Sequence, residues 1–392
     1  MRETYDVIVV GGGPSGATAA DDLARRGRKV ALLDRDGRIK PCGGAIPPRL
    51  MRDFAIPESL IVARARCARI VAPSAREVDM PIADGFVGMV DREIFDEWLR
   101  QRAAQSGAVR LTGTFETIER DADGTALLVY RPPGAGEQHV RLRTRSVIGA
   151  DGANSAVARQ AVPSSGKAKN VFAYHEIIRA PKTGFDGARC DIYYQGRLSP
   201  DFYAWIFPHG ETASIGVGSA EKGFSLRGAV KALRAQCGLE CCETVRTEGA
   251  PIPLRPRRRW DNGRDVVLAG DAAGVVAPAS GEGIYYAMCG GRIAADAVEE
   301  MLATGKAGAL AKARKRFLKA HGLVFWVLGI MQFFWYSSDK RREGFVAMCA
   351  DPDVQRLTWE SYMNKEIVRK RPIAHIRIFF RDMGHLLGLA RT

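Results

Sequence analysis

After a polar start the chain turns apolar at Val7-Ile8-Val9-Val10, a β-branched run behind Tyr5-Asp6 that stops at three glycines. A short apolar run ended by turn residues predicts a strand buried on both faces. Gly11-Gly12-Gly13-Pro14-Ser15-Gly16 predicts a tight turn, and the alanine-rich residues 17–26 predict a helix that Gly27 stops. Residues 29–33, Lys-Val-Ala-Leu-Leu, repeat the first pattern and predict a second strand. From there to about residue 250, short apolar stretches and turn residues predict strands, with loops at 132–134 and 163–166. Residues 265–269 predict one more strand, leading into a helix rich in glycine and alanine that runs through Leu302. From Lys306 onward the pattern is helical and basic, and no repeat or low-complexity linker interrupts the chain. Strand, turn, helix and strand in that order point to the α/β class.

Length adds the next constraint. A chain of 392 residues exceeds one small core, so two or three domains are expected. Hydrophobic residues at 46% and charged residues at 26% are ordinary for a globular protein and exclude wholesale disorder. The net charge of +14 is unevenly spread: residues 305–392 hold 17 Lys/Arg against 7 Asp/Glu, the first 304 hold 41 against 37. A basic excess suits nucleic acid, anionic lipid or a solvated surface, and no nucleic-acid module is present, so the last two stand. The eight cysteines are scattered, with no C-x-x-C pair and no histidine at ligand spacing. That argues against zinc, iron–sulfur clusters and a disulfide framework, so no metal is expected. A reducing, cytoplasmic compartment is expected. The first apolar run enters glycines directly, so no signal peptide is expected.

Gly11-x-Gly13-x-x-Gly16 has the spacing of the dinucleotide fingerprint. Gly11 permits the tight turn, Gly13 lets backbone approach a pyrophosphate, and Gly16 allows close helix–strand packing. The helix that follows offers unpaired N–H groups and a positive dipole to phosphates. Asp34 ends the next strand 18 residues after Gly16, where a carboxylate can accept ribose hydroxyls. The bland alternative is a glycine-rich turn with no ligand.

Two distant segments bear on which dinucleotide is bound: Ile148-Gly-Ala-Asp151-Gly152-Ala-Asn-Ser155, and Leu268-Ala-Gly270-Asp271-Ala-Ala273 followed by residues 278–283. With the fingerprint, these D-G and G-D motifs resemble the FAD-binding family that includes aromatic hydroxylases. The resemblance implies that Asp271 meets the flavin ribityl or pyrophosphate, and that Gly281, Gly283 and Ile284 pass near the isoalloxazine. Arg92, in Asp91-Arg92-Glu-Ile-Phe-Asp96, matches a family arginine on the cofactor side. Ser15, Arg35, Asp151, Gly152 and Gly270 join the same cofactor set. Taken alone, each aspartate is as readily a turn or helix cap. Asp34 is a mild departure, since many relatives carry Glu there, but the shorter side chain still reaches a ribose.

Two further segments narrow the reaction. Pro41-Cys42-Gly43-Gly44 follows the second strand, and Tyr203-Ala-Trp205-Ile-Phe207-Pro208 is followed, seven residues on, by Gly216-Val-Gly218. Together they resemble the geranylgeranyl reductases, flavoproteins that saturate isoprenoid double bonds. Residues 43–48 and 193–200 resemble the branch that acts in (bacterio)chlorophyll synthesis. The resemblance implies an FAD-binding Rossmann-type domain of the aromatic-hydroxylase kind from residues 1–70, 91–165 and 256–304. It implies a mixed-sheet substrate domain from 71–90 and 166–255, and a helical C-terminal region from 305–392.

The chemistry suits these residues. An isolated alkene has no carbonyl to take up negative charge, so a proton must reach one carbon while hydride goes to the other. Positioning must supply much of the rate. Tyr203, Trp205, Phe207 and Pro208 would grip a prenyl chain by apolar contact; the alternative is a well-packed strand. Cys42 beside Gly43 and Gly44 is the available proton carrier near the flavin; the alternative is a packing residue. There is no second G-x-G-x-x-G, so NADPH would dock transiently, or ferredoxin would deliver electrons. The G-W-x-W-x-I-P string of flavin halogenases is absent. His209 reads as a surface or core histidine rather than a substrate residue. The leading expectation is reduction of geranylgeranyl to phytyl on bacteriochlorophyllide or the free diphosphate. Reduction of prenyl chains in membrane lipids or quinones, aromatic-ring monooxygenation, and a non-enzymatic flavin-binding carrier are the alternatives.

Residues 322–336 are almost unbroken apolar and aromatic, interrupted by Gln332. A span needs ~20 apolar residues, so this run predicts an interfacial helix rather than a transmembrane one. Basic residues between Lys312 and Lys319 precede it and Lys340-Arg341-Arg342 follow it, with a second basic stretch at 369–371 and 373–389. That pattern draws a helix to anionic lipid, here the (photosynthetic) membrane. A helix lining a channel or a dimer contact is the alternative, and the oligomeric state is left open.

Overall fold

The computed structural model describes residues 4–365 apart from 36, 38, 167 and 168. The basic stretch from 369 to 389 therefore lies outside the described residues. The chain divides into two compact units. The first runs up to Lys40 and adds Arg92–Asn170 and Pro251–Phe325; the second comprises Pro41–Asp91, Val171–Ala250 and the described residues from Trp326. Residues 41–70, expected in the cofactor domain, fall in the second unit.

In the first unit the opening apolar run forms the strand Thr4–Val10, with Val7, Ile8 and Val9 fully buried. Burying each such side chain contributes about 1.5–3 kcal/mol, and alternation is absent because both faces are covered. This strand pairs in parallel with Val30–Asp34 on one side and Val140–Gly149 on the other. Val109–Thr112 and Val266–Leu268 add further parallel strands, while Ala126–Arg131 and Thr114–Arg120 extend one edge as an antiparallel meander. The first helix, Pro14–Arg25, begins earlier than the alanine pattern predicts, because proline is tolerated in the first helical turn. It packs on Ile284–Thr304, where small residues let the backbones meet. A methyl group at Gly291 would stand 2.1 Å from the Ser15 carbonyl oxygen.

The second unit is built on a seven-stranded mixed sheet in the order Thr244–Pro253, Asn170–Arg179, Thr212–Ser219, Ala204–His209, Arg189–Tyr193, Cys67–Val71, Glu77–Pro81. From Asn170–Arg179 to Glu77–Pro81 neighbours run antiparallel, except for Arg189–Tyr193 and Cys67–Val71, which are parallel. Alternation sorts the side chains into two faces. Ile178, Ala204, Ile206, Ile215 and Val217 pack under the helix Leu226–Gln236. Phe207 packs instead with Ala65, Val87, Met89 and Cys190, beside a small sheet of Ala45–Ile46, Val87–Val90 and Ile61–Ala65.

The basic C-terminal region forms the helices Lys312–Trp335, Asp339–Met348 and Pro352–Asn364. The segment Ala307–Trp335 is long enough to cross a membrane, and an 18-residue window within it has mean hydropathy 1.5, apolar enough by composition. This exceeds the shorter run read from the sequence, because the helix continues through the basic residues before it. Its inner side is held by protein: Phe325 meets Tyr286, and Trp335 meets Phe345. Leu323, Trp326, Ile330 and Phe333, spaced along one side, are exposed, Trp326 at 64% and Phe333 at 81%. Arg342 corrects the sequence reading. Predicted to face lipid, it is 2% exposed, donating to Asp339 Oδ1 at 2.7 Å and to the Pro200 and Tyr336 carbonyls. A guanidinium carries several donors in a fixed fork, which suits it to tie a helix start to two carbonyls at once.

Candidate active site

The fingerprint turn joins the first strand to the first helix. Gly11 has φ of +103°, and a methyl group there would stand 2.3 Å from the Ala150 carbonyl oxygen; one at Gly16 would stand 1.9 Å from Gly11 O. Both glycines are therefore required by the fold itself. Gly13 is not: its φ of −72° suits any residue, and a methyl group there would meet nothing within 4 Å. Gly13 caps the helix without a side-chain hydrogen bond, and the first turn carries no acidic residue. Among the described residues Ser15 Oγ is buried without a hydrogen-bond partner. A glycine the chain does not itself need, an unpartnered hydroxyl and an uncapped helix N-terminus fit a phosphate-bearing cofactor.

Asp34 closes the second strand beside this turn, and Arg35 follows it, exposed. Burial pushes the Asp34 carboxyl up, opposed by the backbone N–H groups of Arg35 and Gly12. Arg100 reaches the same place, 3.5 Å from Asp34 and donating to the Gly12 carbonyl at 3.3 Å. Arg92 makes a buried two-pronged ion pair with Asp96, at 2.9 and 2.7 Å. Arg100, which the motif reading missed, touches the fingerprint loop.

Asp151 serves a helix start: it accepts from the Ala156 and Val157 N–H groups at 2.7 and 3.1 Å and from Ser155 Oγ at 2.5 Å. Gly152, with φ of +87°, turns the chain between them. Gly270 lies against Ser15, and Asp271 pairs with Lys40. Gly281, at φ of +66°, and Gly283 lead into Ile284 at the start of the long helix. Ala279 in the same turn holds φ of +60°, a strained value for a residue with a side chain. The first unit thus gathers residues 11–16, 34, 100, 270 and 271 around one helix N-terminus. The pair Gly290-Gly291 was a missed signal, since two glycines inside a helix mark a close backbone approach.

In the second unit residues 41–44 lie against the Tyr203–Pro208 segment. The ring of Phe207 covers Gly43, where a methyl group would stand 2.9 Å from it. Gly44 has φ of +71°; a methyl group there would meet the Val90 carbonyl oxygen at 2.5 Å and His209 Nε2 at 2.7 Å. Cys42 Sγ accepts the Gly44 N–H at 3.4 Å. Tyr203, Trp205 and Phe207 form a row with ring centroids 5.9 and 6.1 Å apart. Pro208 is buried, on the opposite face by alternation. His209 adjoins this loop rather than lying apart from it. Burial pushes its imidazole down, so the ring is neutral, with Nδ1 3.2 Å from the Phe207 carbonyl oxygen.

Known proteins resemble both halves of this arrangement. Residues 77–316 match the FAD binding domain family and residues 6–45 the FAD dependent oxidoreductase family. Over 387 residues the chain is 59% identical to the geranylgeranyl diphosphate reductase of Rhodobacter capsulatus, covering 98% of each. It is 36% identical over 403 residues to the geranylgeranyl diphosphate reductase of Synechocystis, covering 97% of each. A solved geranylgeranyl bacteriochlorophyll reductase-like protein of Thermoplasma acidophilum shares the fold, with a TM-score of 0.80 at 22% identity over 95% of this chain and 99% of that one. With fingerprint, aromatic row and full-length similarity in agreement, the chain belongs to the geranylgeranyl reductase family of FAD-dependent oxidoreductases.

Proposed function

We propose that the protein saturates isolated double bonds of a geranylgeranyl chain to give phytyl in (bacterio)chlorophyll synthesis. The observation that carries this reading is the row Tyr203, Trp205, Phe207, whose last ring lies on Gly43. A flexible hydrocarbon has no polar handle, so it must be held by apolar surface, and aromatic rings supply that at low entropic cost.

FAD, when bound and reduced, would supply the hydride. Gly13, Ser15 and the helix start would hold its pyrophosphate, Asp34 its ribose, and Gly270, Asp271, Gly281 and Gly283 would line the rest of the cofactor path. Arg92, Arg35, Asp151 and Gly152 would complete the cofactor set. Tyr203, Trp205 and Phe207 exclude water and hold the chain, while Pro208, on the other face of the strand, takes no part. Cys42 gives a proton to the second alkene carbon, and the Gly44 N–H on its sulfur offsets the negative charge left there. NADPH serves as electron donor by transient docking, a reading supported by the single G-x-G-x-x-G in the sequence. The exposed row Leu323, Trp326, Ile330 and Phe333, with Lys312, Arg316, Lys340 and Arg341 near its ends, supports a peripheral place on an anionic membrane from the cytoplasmic side.

Purified protein reduced with dithionite and given geranylgeranyl diphosphate should release phytyl diphosphate, identified by mass spectrometry. Oxygen consumption with a hydroxylated aromatic product, and no hydrogenated prenyl chain, would overturn the assignment.

A further inference from the structure

The face of the second unit's sheet that carries Trp205 also buries polar side chains that the proposed reaction leaves unused. His175 lies opposite Gly216, and Gly216 opposite Trp205, so three neighbouring strands place imidazole and indole on either side of a glycine. A methyl group at 216 would stand 2.1 Å from the Trp205 ring and 2.7 Å from His175 Cβ. The indole therefore lies over the glycine. Ser214 Oγ joins the two rings, 3.2 Å from Trp205 Nε1 and 2.9 Å from His175 Nδ1. Beyond His175, Glu248 Oε2 stands 3.0 Å from Nε2, and Arg246 pairs with the same carboxylate. His175 and Ser214 are buried, as is Trp205.

The protons in this row can be assigned. An indole N–H only donates, so Ser214 Oγ accepts from Trp205; with the neutral ring whose proton sits on Nε2, the Ser214 hydroxyl donates to His175 Nδ1. Nε2 lies at ion-pair distance from the Glu248 carboxylate, though out of line for a hydrogen bond, and this tautomer places the ring proton there. Burial opposes ionisation of Glu248, but His175 and Arg246 hold its carboxyl below the usual range. The row then reads in one direction, from Trp205 through Ser214 and His175 to Glu248. Reversing the Ser214 hydroxyl would leave a buried nitrogen without its proton, so the indole has one favoured orientation.

We propose that His175 is a positioning residue: acting through Ser214, it locks the Trp205 indole over Gly216 so that a prenyl chain meets a fixed wall and its double bonds stop at one place. The proposal rests on reading Trp205 as part of the substrate wall. A loosened indole would let the chain slip, raising KM and releasing partly reduced chains before full saturation.

The test uses the dithionite-reduced holoenzyme, geranylgeranyl diphosphate and product analysis by mass spectrometry, with flavin content and Tm measured on every variant. His175→Phe keeps the ring and loses the acceptor; His175→Asn loses bulk but keeps an oxygen near the place of Nδ1. Ser214→Ala removes the bridge with little change in volume. Phe and Ala should raise KM roughly tenfold, with kcat less affected, and accumulate partly reduced chains, while Asn stays near wild type. A role in packing alone predicts the opposite ranking, with Phe the better tolerated, and that ranking would overturn the proposal. Should His175→Phe fail to fold, Ser214→Ala decides by itself: wild-type KM and products would overturn it. Trp205→Ala separates the two readings. If it leaves turnover of the prenyl substrate unchanged, the substrate wall itself is wrong; if it impairs turnover while the Ser214 and His175 variants do not, only the positioning role fails.

Discussion

Replacing Gly13 with valine isolates cofactor binding from folding, because this glycine is one the polypeptide does not need. Its backbone, at φ −72° and ψ −178°, is open to any L-residue, and a Cβ there meets no atom within 4 Å. Apoprotein stability should change little, since removing glycine's freedom in the unfolded chain offsets the poorer helix cap that valine makes. Cofactor binding should suffer. A branched side chain at the helix start would displace a phosphate from backbone N–H groups, and each hydrogen bond to a charged group is worth about 1.5–3 kcal/mol. Losing two amounts to about 3–6 kcal/mol, on the order of 10²–10⁴ in the FAD dissociation constant. Flavin absorbance of purified protein, an FAD titration of apoprotein, and apoprotein Tm together read both quantities. Gly16→Ala is the contrasting control: its methyl would stand 1.9 Å from Gly11 O, so it should lower Tm as well as flavin content. Full yellow absorbance in Gly13→Val would refute the reasoning, as would flavin loss accompanied by a Tm drop matching that of Gly16→Ala.

Cys42→Ser should bind FAD normally yet reduce alkenes far more slowly, because a hydroxyl is a much weaker acid than a thiol; near-normal turnover would make Cys42 a packing residue. Trp326→Ser with Phe333→Ser, or Lys340→Gln with Arg341→Gln, should weaken sedimentation with anionic liposomes, the deficit of the charge variants being largest at low salt and shrinking as salt screens the attraction. Arg342→Gln should instead lower Tm, because its partners are the buried side of a helix start, and unchanged stability there would contradict that burial. Glu97 is held down to about 2 by Arg110 and Arg100, so its contribution to stability is present above the ordinary carboxyl value of 4.5 and is lost as pH falls toward 2. Glu97→Gln should flatten the acid limb of Tm against pH, and an unchanged slope would show the group plays no part.

Local rules make part of this protein legible in its residues alone. The run 7–10, the glycine turn and the alanine helix state their conformations in adjacent residues, since a strand buried on both faces needs only continuous apolar character. The Tyr203, Trp205, Phe207 alternation likewise declares one face of a strand. What lay beyond reach was decided by residues far apart in the chain. Lys40 meets Asp271, and His175 meets Ser214 and Glu248, through sheet order and register, which no single segment encodes. Arg342 belonged to a basic run that reads as a solvated or lipid-facing patch, yet two carbonyls and a carboxylate draw it inside. Charge and periodicity describe what a segment can cover, whereas burial depends on which partners the rest of the fold brings to it. Sequence alone therefore determined the strand–turn–helix and the aromatic row. Only the tertiary structure decided which glycines the fold requires and which polar groups stand behind Trp205, because those are contacts between strands and helices that the chain order does not make neighbours.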